Sequence, residues 1–71
     1  MQKDIKYLSL YNELKQKIIS KEYPEGSMLP SETQFMTMFH ISRITVRNAL
    51  ALLEQEGFIY RIQGKGCYVA D

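Results

Sequence analysis

The sequence has one cysteine and one histidine in 71 residues. A single thiol, Cys67, excludes an internal disulfide, and Cys67 with His40 makes no recognisable zinc pattern. The first residues, MQKDIKYL, hold no long apolar run. Neither a signal peptide nor a membrane span is therefore expected, and a reducing cytoplasm is the natural setting. There is no internal repeat and no low-complexity segment. Net charge is only +1, which by itself lends little support to a polyanionic partner. A local absence says more. From Thr33 through Leu53 there is no acidic residue, while Arg43 and Arg47 lie inside that stretch. Acids gather elsewhere, at Asp4, Glu13, Glu22, Glu25, Glu54 and Glu56. One face is expected to be positive on a nearly neutral protein, although chance segregation in a short chain looks the same.

What is present describes one small domain. An apolar content of 45% is ordinary for a globular chain, and this length allows only a small core of modest stability. A first helix is expected over about 7–21, because Tyr7, Tyr11, Leu14 and Ile18 recur at spacings of four, three and four. Tyr23, Pro24, Glu25 and Gly26 then turn the chain, and Met28-Leu29 is read as a very short strand. A second helix is expected over about 31–39. Ser31 is a good N-cap, Gln34 completes a capping-box pattern, and Phe35, Met38 and Phe39 are assigned to the inner face. His40 and Ile41 make a turn. Ser42 caps a third helix over about 42–56 that stops at Gly57, with Val46, Ala49, Leu50 and Leu53 as its core stripe.

After Gly57 the period changes. Phe58, Ile59, Tyr60 and Ile62 are strand-like, Gln63-Gly64-Lys65-Gly66 is a turn, and Cys67, Tyr68 and Val69 return. The expected architecture is mainly α with a small β-hairpin: three helices and a wing at about 58–70, in the order of a winged helix-turn-helix.

On a helical wheel at 100° per residue, Ile44, Arg47, Asn48 and Ala51 oppose the core stripe, with Arg43 and Thr45 at the edges. Arginine can grip guanine O6 and N7, and an apolar group can touch a thymine methyl. A capped helix start also favours phosphate. The plain alternative is an ordinary surface helix whose Ile44 packs on the second helix. In the wing, Arg61 and Lys65 flank glycines, and Gly64 and Gly66 permit positive φ and close backbone approach. Such a tip suits a phosphate or an adjacent minor groove, or is simply a tight turn. Catalysis finds little support. His40 has no obvious partner, Cys67 in a strand reads as a buried or half-buried thiol, and Gly64-Lys65-Gly66 lacks P-loop spacing. No cofactor is expected.

The ordered set Tyr23-Pro24 to Gly26, Leu29-Pro30-Ser31-Glu32, Ser42-Arg43, Thr45-Val46-Arg47, Ala49-Leu50, Leu53 to Gly57 and Gln63-Gly64-Lys65-Gly66 closely resembles the N-terminal winged helix-turn-helix domain of GntR-family bacterial transcription regulators. The similarity runs from Leu10-Tyr11 to Val69, and the Thr-Val-Arg and Gln-Gly-Lys-Gly forms are most similar to the HutC-type branch. The resemblance implies base contacts from Arg43 and Arg47, backbone or sugar contacts from Ser31, Ser42 and Thr45, and minor-groove contact from Gly64 and its neighbours. One departure matters. Many relatives carry arginine where this chain has Thr33, which can bond a phosphate but cannot grip guanine bidentately.

The resemblance thus implies sequence-specific binding to a two-fold operator by the recognition domain of a metabolite-responsive repressor. It also implies a small-molecule effector bound by a further domain that lies beyond the wing and makes the main homodimer contact. Residues 1–71 are expected to be the DNA-binding domain alone, monomeric or loosely dimeric. The alternative is a winged-helix protein-interaction module, against which the exposed arginines argue; an enzyme is remote.

Overall fold

The computed structural model describes residues 4–71; Met1 to Lys3 of the expected domain lie outside the described residues. Three helices are followed by a hairpin: α1 (Asp4–Ile19), α2 (Glu32–Phe39), α3 (Arg43–Gln55), β1 (Ile59–Ile62) and β2 (Gly66–Val69). The strands are antiparallel, with Ile59 opposite Val69 and Ile62 opposite Gly66. This is the winged helix-turn-helix expected from the sequence.

The helix ends follow from local chemistry. Ser31 Oγ accepts the Gln34 N–H at 3.1 Å while Gln34 Oε1 accepts the Ser31 N–H at 2.8 Å, a complete capping box. Ser42 Oγ accepts the Thr45 N–H at 3.3 Å and opens α3. At the far end of α3, the N–H of Gly57 bonds Glu54 O and the N–H of Phe58 bonds Leu53 O, around a left-handed Gly57 at φ 86°. These are the two bonds of a Schellman stop. The α2–α3 turn is tighter in kind. His40 itself is left-handed (φ 56°), and the Ile41 N–H reaches back to Met36 O.

Three expectations need correction. The first helix runs over Asp4–Ile19 instead of 7–21. A hydrophobic stripe marks only the packed part of a helix, so the helix begins before Tyr7, and left-handed Lys21 (φ 70°) lies beyond its end. Met38 is not on the inner face: it is 53% exposed, and Met36 packs against the core in its place. At 100° per residue both methionines lie about 80° from the line between Phe35 and Phe39. Periodicity therefore does not separate them, and what lies on each side decides. Phe58 precedes the hairpin strand, because its N–H is committed to the α3 stop.

The core gathers Leu10, Tyr11 and Leu14 of α1, Leu29, Phe35, the four stripe residues of α3, and Ile59 and Val69 of the wing. Leu10 belongs to the same α1 face as the expected stripe and was not in it. Lys15 Nζ lies 5.6 Å from the Tyr11 ring centroid and 5.5 Å from that of Phe58, and Tyr11 Oη donates to Glu56. These contacts join α1 to the α3–wing junction. The Met28-Leu29 segment bridges β2: Met28 pairs with Tyr68, and the Leu29 N–H bonds Cys67 O at 2.8 Å. The wing is thereby stitched to the segment that leads into α2, which fixes its angle to the helix-turn-helix.

Candidate DNA-binding surface

Most of the expected site residues fall into two groups. Ser31 and Thr33 at the start of α2, Arg43 at the start of α3, and Arg61 and Lys65 on the wing line one open cleft of about 380 Å³, together with Glu32. Ile44, Arg47 and Asn48 stand on the outer face of α3, all exposed. Ile44 does not pack on α2; it is 63% exposed, so the plain surface-helix alternative fails at that residue. Asn48 shares a shallow hollow with Tyr7 and Ala51, away from the cleft. Thr45 is half-buried, and its hydroxyl lies 2.9 Å from that of Ser42. Gly64 (φ 81°) and Lys65 form the wing tip, where the Lys65 N–H bonds Ile62 O at 2.9 Å.

One residue with no site role among the sequence expectations links the two groups. Glu32, the first residue of α2, places Oε1 3.0 Å from Arg43 Nη1 and Oε2 3.1 Å from Arg47 Nε. A single carboxylate bridges two arginines one helical turn apart on α3. Burial raises the Glu32 pKa, but the hydrogen bonds and charges of Arg47 and Arg43 outweigh it and hold the carboxyl below its ordinary value. Both arginines remain about half exposed, 48% and 57%, against 20% for Glu32. Ion pairs of that exposure contribute about 0–1 kcal/mol to stability, so the importance of the bridge is geometric. Arg43 uses Nη1 and Arg47 uses Nε. Each guanidinium keeps a two-nitrogen edge outside the bridge, Nε with Nη2 on Arg43 and Nη1 with Nη2 on Arg47. Two parallel N–H donors are what a bidentate grip on guanine O6 and N7 needs.

The acid-free stretch from Thr33 to Leu53 therefore overstated the positive charge of this face, because Glu32 cancels part of it. A signal for the bridge existed: two arginines at i and i+4 on an exposed face, and one acid on the first turn of the preceding helix. That acid is equally explained by its favourable place at a helix N-terminus.

The hydroxyls are also arranged. Ser31 spends an oxygen lone pair on its cap, which leaves its O–H free to donate outward. Cys67 is half-buried beneath the cleft. Burial pushes its thiol pKa up, and the Arg61 charge only partly opposes this, so the thiol is not activated as a nucleophile. Among the described residues no helix is long and apolar enough to cross a membrane.

Comparison with known proteins decides the family. The profile of "Bacterial regulatory proteins, gntR family" matches residues 6–69. The chain belongs to the GntR family. That is a family of regulators and not of enzymes. Among curated GntR relatives, the chain is similar to the arabinose metabolism transcriptional repressor of Geobacillus stearothermophilus. The two are 43% identical over 65 residues, 92% of this chain and 18% of the repressor. It is also similar to the transcriptional repressor NagR of Bacillus subtilis, 41% identical over 64 residues, 90% of this chain and 26% of NagR. The chain thus spans only a minor part of the length of these relatives. Among solved structures, AraR(DBD) in complex with operator ORE1 superposes with a TM-score of 0.89 at 32% identity, covering 92% of this chain and 79% of that one. A GntR family transcriptional regulator from Listeria monocytogenes superposes with a TM-score of 0.87 at 26% identity, covering 90% and 56%.

Proposed function

We propose that this chain is the operator-binding domain of a cytoplasmic, metabolite-responsive repressor. The observation that carries the reading is the pair of arginines at the start of α3, held side by side by Glu32 with a free donor edge on each. Arg43 and Arg47 read guanines in the major groove. Asn48, one turn beyond Ile44, meets a base edge or a phosphate. Ser31, Thr33, Ser42 and Thr45 bond the flanking backbone, and Thr33 adds no bidentate base contact from α2. Arg61, Gly64 and Lys65 bring the wing to a phosphate or the adjacent minor groove. The likeness to AraR(DBD), solved on an operator, supports the same partner here.

The full-length regulator is a homodimer on a two-fold operator. Its small-molecule effector and its main dimer contact belong to a part that residues 1–71 do not include, which agrees with the greater length of the curated relatives. This chain alone is a monomer or a weak dimer and binds a half-site at micromolar strength or weaker, because linking two modules raises the effective concentration of the second.

The test is selection of bound sequences from random DNA, followed by affinities across a salt series. Operator binding predicts one enriched motif and an affinity that falls steeply with salt. No enrichment and no salt dependence would favour the protein-interaction alternative.

A further inference from the structure

Ile44 is the most exposed large apolar side chain among the described residues. Folding does not account for it. The α3 core stripe faces the other way, and a β-branched residue is a slightly poor choice for an exposed helix position. What the branch does provide is stiffness: isoleucine in a helix strongly prefers one χ1 rotamer, so its methyl groups point in one direction. The surroundings narrow the use further. Arg43 precedes it and Arg47 lies one turn on, both drawn toward Glu32. Ile44 is left projecting beside two guanidinium forks.

In a major groove the arginines claim hydrogen-bond acceptors, whereas Ile44 can pair with none. Set against a guanine edge or an exocyclic amine, it would leave a polar group desolvated without a partner. The largest apolar feature of a base pair in that groove is a methyl group on C5 of a pyrimidine. We propose that Ile44 is a C5-methyl reader, selecting a 5-methylated pyrimidine at one position of each half-site. Thymine is the ordinary ligand, and 5-methylcytosine presents the same methyl. This inference rests on the operator-binding reading above and adds the chemical group that the position recognises.

The experiment uses the intact chain and its selected DNA. Each thymine in turn is replaced by deoxyuridine, which removes the methyl and leaves every hydrogen-bonding atom in place. At one thymine per half-site the affinity should fall about fourfold, the weight of one buried methyl group. Ile44→Ala should bind more weakly and show no loss at that same substitution. A C·G pair placed there should gain about fourfold when its cytosine is methylated at C5, with Ile44 and not with Ala. Ala is the better helix former, so a circular dichroism spectrum matching that of the unaltered chain is expected for the variant. Sequence-selective binding that is indifferent to every thymine methyl overturns this proposal alone. So does an equal methyl effect in the Ile44→Ala chain, which would assign the contact to another residue. Failure to enrich any sequence overturns the operator-binding reading, and this proposal with it.

Discussion

Replacing Glu32 by Gln removes one charge and keeps the shape of the side chain. The amide still offers one oxygen, but its nitrogen now faces a guanidinium, so only one of the two arginines stays held. Stability should change little, by about 0–1 kcal/mol, because the arginines are half in solvent. DNA binding should change more, and in two opposed ways. Immobilising a rotamer-rich side chain at an interface costs about 0.5–1.5 kcal/mol, and Glu32 meets that cost for two of them before DNA arrives. Specific binding should therefore weaken by about 0.5–1.5 kcal/mol for the one arginine released, roughly two- to 13-fold. Random DNA should bind slightly tighter, because a negative charge beside the phosphates is gone. The readout is the ratio of affinities for selected and scrambled duplexes, measured by fluorescence anisotropy at two salt concentrations. It should fall for Glu32→Gln. In the unaltered chain it should hold steady as pH drops toward 5. The depressed folded pKa means that the bridge is fully present above the ordinary carboxylate value of 4.5 and is lost only as pH falls through a lower one. A ratio that stays constant or rises in Glu32→Gln would show that the carboxylate is a passive counter-charge and that the arginines find their bases unaided.

Other perturbations separate the roles of fold and surface. Phe35→Ala empties the centre of the core, where Phe35 is fully buried. It should cost about 3–5 kcal/mol of a total near 4–10 kcal/mol for this length, visible as a lost or greatly lowered urea midpoint. Ser31→Ala removes half of the capping box and should cost about 1 kcal/mol, lowering Tm by about 4–8 °C; an unchanged Tm would mean that water caps α2 equally well. Lys65→Ala at the wing tip should weaken binding to all sequences alike and reduce the salt slope by about one, and an unchanged slope would remove the wing tip from the backbone contacts.

The local signals in this chain were nearly sufficient for its elements. Ser31 with Gln34, Ser42 and Gly57 each act through bonds to atoms within five residues, so their effect is written in adjacent positions. The α3 stripe Val46, Ala49, Leu50 and Leu53 was legible for the same reason: helical geometry alone puts those residues on one face. The exposed set Ile44, Arg47 and Asn48 follows as its complement.

What the sequence left open depended on neighbours far along the chain. Met36 and Met38 are equivalent on the wheel, and only the packing around α2 distinguishes them. The Met28 bridge to Tyr68 joins segments forty residues apart and sets how the wing meets the helices. The Glu32 bridge spans 11 and 15 residues, beyond the reach of any helical period. The sequence by itself determined which residues form helices and which arginines face outward, because those are matters of local hydrogen bonding and periodicity. Only the tertiary structure decided that one acid lies between those arginines, because α2 and α3 must first pack before a carboxylate on one can hold two guanidinium groups on the other.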